Sequence, residues 1–365
     1  MTCLVLIITS VLIVLAADDA VTLENRIYHG IDKIYELSND PPISVMIYGN
    51  SDFCEIPLEN IISEFKKKTD FKKINTVLKV KKEFLNFNNN ILQVETVENY
   101  LKKELKKFKE EINDNLNEMD IHHLTKQKER IQKFKCFEKY QLDFEDVLPK
   151  NLTSNEIEIL KNNLEHIFFE NLNEKRSGIV ISGIDKQSMK SSYTQFEMIL
   201  NTANNVIFEN MSEEIDVSGS KIKIFAQNQV IESFLNGIDE ELQDEITNNL
   251  PNYIEKTLNY LLKIMKEKRI LSKNEYDRMK NEIDIIKRNS IIKYDFEDHI
   301  KNIKIENIIK ISKELEGMSK EELVKLSKTL IDITRFKQII NSERETVGGN
   351  VTTFVLSLNK GIEKF

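Results

Sequence analysis

The chain has 365 residues, 52 of them basic and 60 acidic, for a net charge of −8, with 40% hydrophobic and 31% charged side chains. Ten Gly and five Pro, against roughly 25 and 18 at average usage, exclude collagen-like, Pro/Gly-rich disordered and turn-rich all-β chains and leave a helix-rich chain with some sheet. Interspersed charge of net negative sign gives no basis for a nucleic-acid or anionic-membrane partner, and three widely spaced cysteines form neither a disulfide framework nor a zinc pattern.

The first seventeen residues, MTCLVLIITSVLIVLAA, admit two readings. They have the composition of a secretory apolar region, with small residues at Ala16-Ala17, yet nothing basic precedes Arg26, and a signal peptide normally opens on positive charge. The apolar run is also shorter than the ~20 residues that span a bilayer. The rival is a buried hairpin, in which Cys3–Ile8 and Val11–Leu15 are strands separated by Thr9-Ser10. A strand covered on both faces reads as a continuous apolar run.

Further along, the alternation from Arg26 to Leu37 is compatible with another strand. Asn39-Asp40-Pro41-Pro42 marks a turn, and Ile43–Gly49 reads as a strand ending on Gly. Leu58, Ile61, Ile62 and Phe65 share one face of a helix over Pro57–Lys68. From about Asn75 to Lys175 the sequence is Lys/Glu/Asn-rich helix with solvated charged faces. Ser177–Ile184 is a strand, with further strands expected at Thr194–Leu200, Val206–Asn210 and Lys221–Phe225. Helical patterns return from Gln229 to Asn341, with breaks near Pro251, Ser272 and Gly317, and Val351–Ser357 is a closing strand. No internal repeat is evident.

The chain's start also carries chemistry. Loss of Met1, which a small second residue permits, makes Thr2 the N-terminus. Its hydroxyl then shares a residue with a free α-amine, whose pKa near ~7.7–8.0 makes it a usable base. A Thr hydroxyl paired with its own amine is an activated nucleophile. Asp18 falls where the returning strand meets Thr2, and Lys33 on the next candidate strand. A buried Lys beside an Asp holds positive charge that favours a deprotonated hydroxyl. Gly49 offers an unobstructed backbone N–H to an oxyanion.

Thr2-Cys3-Leu4-Val5, the run Leu15–Leu23, Asp32-Lys33-Ile34-Tyr35 and Met46-Ile47-Tyr48-Gly49 together resemble proteasome β-subunits and their bacterial relatives, which are N-terminal-nucleophile (Ntn) hydrolases. Thr2, Asp18, Lys33 and Gly49 are similar in order and spacing to that family's nucleophile, acidic residue, lysine and oxyanion-hole glycine. Val347–Val351 with Asn359–Ile362 is similar to its late Gly-Gly turn and hairpin. Gly178–Gly183 and Phe225–Asp239 look like an uncharacterised, helix-elaborated branch.

The resemblance implies an α+β fold, the Ntn-hydrolase αββα four-layer sandwich with large helical insertions. Its sheet core would comprise 1–74, 176–239 and 340–365, with a helical insertion at 75–175 and a helical segment at 240–339. It implies a cytoplasmic threonine-type hydrolase that cleaves peptide amide bonds, takes a peptide or protein substrate, needs no cofactor and assembles as a homo-oligomer. Val347 stands where the family has a serine, and Glu343 or Glu345, flanking Arg344, stands for its aspartate. An inactive proteasome-like scaffold or assembly protein is therefore one alternative, and a secreted helical protein lacking residues 1–17 another.

Other candidates carry less. Adjacent His122 and His123 point about 100° apart on a helix and suit a shared metal poorly. His166 and His299 fall on helical patterns as packing or surface residues, and Cys54 and Cys136 read as small buried hydrophobes. Sequons at Asn151, Asn210 and Asn350 matter only in a secreted chain.

Overall fold

The structure, a computed structural model, describes residues 2–23, 26–91, 94–115, 144, 147, 153–201, 206–288, 291–340 and 347–365. The two apolar runs at the start are strands β1 (Cys3–Ile8) and β2 (Ile13–Asp18), every residue of both buried. Thr9 makes the turn between them: its hydroxyl accepts the N–H groups of Val11 and Leu12 at 3.4 and 3.1 Å. Val11 lies on that turn, 68% exposed, so the second strand begins at Ile13 rather than Val11.

The strand expected over 26–37 is two pieces. Strand β3 (Val21–Leu23) pairs with β4 (Arg26–Tyr28), the chain then leaves strand geometry through Gly30 at φ +82°, and β5 runs Ile34–Asn39. After the Asp40-Pro41 turn come β6 (Pro42–Gly49), the short pair β7 (Asp52–Phe53) and β8 (Ile56–Pro57), and helix α1 (Leu58–Lys68), which buries the four apolar residues its spacing put on one face. Helices α2 (Val77–Ile91), α3 (Val94–Asn115) and α4 (Ser154–Glu174) follow. Strands β9 (Ser177–Ile184), β10 (Ser191–Asn201), β11 (Val206–Glu214) and β12 (Lys221–Ala226) come next.

Helices α5 (Gln229–Asn236), α6 (Glu240–Glu267), α7 (Lys273–Arg288), α8 (Ile291–Gly317) and α9 (Lys320–Ile340) then lead to β13 (Val351–Ser357) and β14 (Gly361–Lys364). The expected break at Pro251 does not occur: α6 runs through it. Proline removes one backbone donor and crowds the preceding turn, and the residues on either side, with Thr247 and Leu262 buried, carry the helix across. The break at Ser272 does occur: its N–H donates to the Glu275 carboxylate at 2.9 Å and its hydroxyl oxygen accepts the Glu275 N–H at 3.4 Å, a capping box that starts the next helix.

Ten of the described strands form two five-stranded antiparallel sheets, ordered β12-β1-β2-β13-β14 and β11-β10-β9-β6-β5. The molecule is thus mixed helix and sheet. Alternation along β1 shows why its sequence is continuously apolar. Leu4, Leu6 and Ile8 meet Met46, Val180 and Tyr193 of the second sheet in one cluster. Cys3, Val5 and Ile7 point the other way, onto Leu323, Leu330 and Ile331 of α9. The second sheet turns Ile47, Ile179 and Phe196 toward Phe65, Phe84 and Phe168 of α1, α2 and α4. Helices from the Lys/Glu/Asn-rich stretch and from the late helical stretch therefore cover the outer sheet faces.

Candidate active site

The β1–β2 register, Leu4 opposite Ala17, brings Asp18 to the start of β1. Its Oδ1 accepts the Cys3 N–H at 3.0 Å and the Lys33 ammonium at 2.9 Å, and its Oδ2 accepts the Gly348 N–H at 3.3 Å. Asp18 and Lys33 are 1% and 4% exposed, so the pair lies in a medium where neither charge is stable alone. Lys33 also donates to the Ala20 carbonyl. It sits on the connection just before β5, a correction to its expected place on a strand. Its carbonyl accepts the Ile47 N–H at 2.9 Å, which ties it to β6 two residues before Gly49.

Burial pushes the Lys33 ammonium below its ordinary pKa, with Asp18 opposing. The neighbouring Cys3 thiol is pushed up to about 12, chiefly by burial. Its buried side chain accordingly has the character of a small apolar group rather than of a thiolate.

Thr2 is buried, and its carbonyl accepts the Gln227 N–H at 3.1 Å. The Gln227 side chain accepts from Gln338 Nε2 at 2.7 Å, and Gln338 Oε1 accepts the Val347 N–H at 3.1 Å. Among the described residues no hydrogen bond joins the Thr2 hydroxyl to Lys33, or Gly49 to either. Gly49 closes β6 at φ +77°, where a Cβ would come within 2.6 Å of the Arg176 carbonyl oxygen. That position tolerates only glycine.

Several residues around the site carried little signal in the sequence. Asp19 is buried. Its N–H donates to the Asn350 carbonyl at 3.1 Å, its Oδ2 accepts from Asn350 Nδ2 at 3.3 Å, and His29 Nδ1 lies 3.6 Å from its Oδ1. A Cβ on Gly349 would overlap that Oδ1 at 1.8 Å. Asp19 thus seats the turn from which Gly348 reaches Asp18, and the Asp18-Asp19 and Gly348-Gly349 doublets were its sequence trace. Gln227 and Gln338 left none.

Cys54 is buried as expected, whereas His122, His123, Cys136, Asn151, Glu343, Arg344 and Glu345 lie outside the described residues. Among the described residues no three His, Cys, Asp or Glu side chains are grouped to hold a metal ion, and no helix is long and apolar enough to cross a membrane.

No protein-family model matches the chain, and no curated protein matches it. Among solved structures it is similar to Anbu (ancestral beta-subunit) from Yersinia bercovieri, at 8% identity and a TM-score of 0.38, over 100% of this chain and 87% of that one. These findings correct the sequence resemblance: membership of the proteasome β-subunit family, or of a helix-elaborated branch of it, is not supported. The physical reason is that short stretches carried the resemblance. The β1–β2 register brings residues 2 and 18 together, and Lys33 reaches Asp18 from the connection before β5, whatever the ancestry of the chain.

Proposed function

We propose that the layers form an Ntn-type αββα sandwich and that the chain hydrolyses peptide amide bonds with Thr2 as an N-terminal nucleophile, once Met1 is removed. The observation that carries this reading is the buried Asp18–Lys33 pair, anchored on the N–H of Cys3, the residue next to Thr2. A buried ion pair is weak evidence for stability, because apolar side chains of the same volume serve that end as well. Its place beside a residue that can expose both a hydroxyl and an amine argues for chemistry.

In the proposed reaction the Thr2 oxygen attacks the scissile carbonyl carbon while its proton passes to the Thr2 α-amine. The carbonyl electron pair moves to oxygen, and the Gly49 N–H stabilises the resulting oxyanion. Collapse returns that pair, breaks the C–N bond and gives the proton to the departing amine. An ester on Thr2 remains. Water, deprotonated by the same α-amine, cleaves the ester to a carboxylic acid and restores the hydroxyl. Lys33, held by Asp18, supplies positive charge that favours the attacking oxygen. The substrate is a peptide or protein, and assembly into a homo-oligomer belongs to the same proposal, with light scattering of the purified chain as its check.

Intact mass measures the first requirement. The expected mass lacks Met1 only; a retained Met1, or a mature chain that begins near Asp18, overturns the reading. Thr2→Ala is then expected to abolish turnover of a fluorogenic peptide amide, and an active Thr2→Ala variant would dismiss Thr2. A non-catalytic scaffold or assembly role is a second reading, favoured by fully buried Val347 and by a Thr2 hydroxyl not bonded to Lys33. Correctly processed protein that resists a covalent probe for N-terminal threonine would decide for it.

A further inference from the structure

Tyr48, Gly178 and Glu197 stand in one row across β6, β9 and β10, Tyr48 opposite Gly178 and Gly178 opposite Glu197. A Cβ on Gly178 would lie 2.2 Å from the Tyr48 ring, so the ring lies across the glycine and its phenol reaches the far strand. There it donates to Glu197 Oε1 at 2.8 Å and accepts from Gln195 Nε2 at 2.7 Å. Glu197 is buried, and its other oxygen lies 2.7 Å from Arg176 Nη1. The row then closes on itself. The Arg176 carbonyl accepts the Asn50 N–H at 3.0 Å, and the same oxygen is the atom that a Cβ on Gly49 would meet.

Gly49 is therefore flanked by Tyr48, tied to Arg176 through its side chain and Glu197, and by Asn50, tied to Arg176 through its backbone. A glycine at positive φ has wide conformational freedom, while an oxyanion donor acts only when it is aimed before the charge develops. An apolar row would have held these strands without placing a carboxylate between two sheets.

We propose that Tyr48, Glu197 and Arg176 are positioning residues that clamp both sides of Gly49 and aim its N–H at the developing oxyanion. The inference rests on the Thr2 reading above and deepens it. It is tested on the full chain, lacking Met1, with a peptidyl-coumarin amide as substrate. Tyr48→Phe and Arg176→Met are each expected to lower kcat about tenfold with KM nearly unchanged, the pattern for loss of a contact that matters only in the transition state. Arg176→Lys is expected to restore part of kcat, and hydrogen exchange at the Asn50 amide to quicken in Arg176→Met. Unchanged kcat in both variants, with or without a lower melting temperature, overturns the clamp and leaves Thr2 standing. A wild-type chain that lacks Met1 and shows no turnover overturns both.

Discussion

At the scale of single residues, Asp18 is the hub. It accepts two backbone N–H groups and one ammonium, so its substitution and that of Lys33 are not equivalent. Asp18→Asn leaves the Lys33 charge buried without its counter-ion, and urea unfolding is expected to show a loss of about 3–5 kcal/mol. Lys33→Met leaves Asp18 with its two backbone donors and is expected to cost less; the reverse order would remove Asp18 from the centre of the site.

The depressed pKa of Lys33 also fixes a sign. Between its folded value and the ordinary ~10.4, the unfolded chain binds the extra proton, so stability rises with pH through that window and levels off above it. Unfolding free energies measured up to about pH 10.4 are expected to show the rise in the wild type and a flatter profile in Lys33→Met. The proposed hydrolysis has its own expected profile. If the Thr2 α-amine is the base, kcat/KM rises through roughly pH 8 as the amine loses its proton, and a flat profile would assign the base elsewhere.

At the scale of elements, the two readings of the N-terminus have different consequences for the β1–β2 hairpin. Both strands are interior to the first sheet and buried along their whole length. A chain begun at Asp18 is expected to lack cooperative thermal unfolding, and a truncated chain that unfolds cooperatively would support a discarded leader. Gly349→Ala drives a Cβ onto the Asp19 carboxylate and leaves a left-handed backbone occupied by alanine. The backbone alone costs about 1–2 kcal/mol, and the turn that presents Gly348 is expected to shift, with a lower melting temperature as the readout.

These elements also show what could be read beforehand. β1, β2, β6 and α1 were legible because burial on both faces, or one apolar helical stripe, writes itself into the order of side chains. Asp18 and Lys33 were legible as a pair through their order and spacing in the resemblance, not through any strand register that links them. The Lys33 backbone position was missed because Gly30 breaks what alternation alone reads as one strand. Helix α6 was cut at Pro251 because local propensity cannot see packing on either side. The link from Gln227 to Gln338 spans 111 positions, and glutamine carries no periodicity that would announce it.

At the scale of the whole molecule, distant parts of the chain converge at the Thr2 end of the first sheet. β1 pairs with β12 and β2 with β13, Asp18 facing Val351. A chain ending at residue 346 retains Thr2, Asp18, Lys33 and Gly49 but loses β13, β14 and the Gly348 donor. It is expected to resist a covalent threonine probe; full labelling would detach the last strands from the chemistry.

The contact from Gly348 to Asp18, 330 positions apart, has a consequence in time. Synthesis delivers the N-terminus first, yet its two strands gain their outer partners only when residues 221–226 and 351–357 arrive. Pairings of such separation form late and slowly. The first strands must wait as an unpaired apolar hairpin, the kind of segment that chaperones bind. Under the proposed reading, the surroundings of Asp18 are therefore assembled only when Gly348 and β13 join the first sheet.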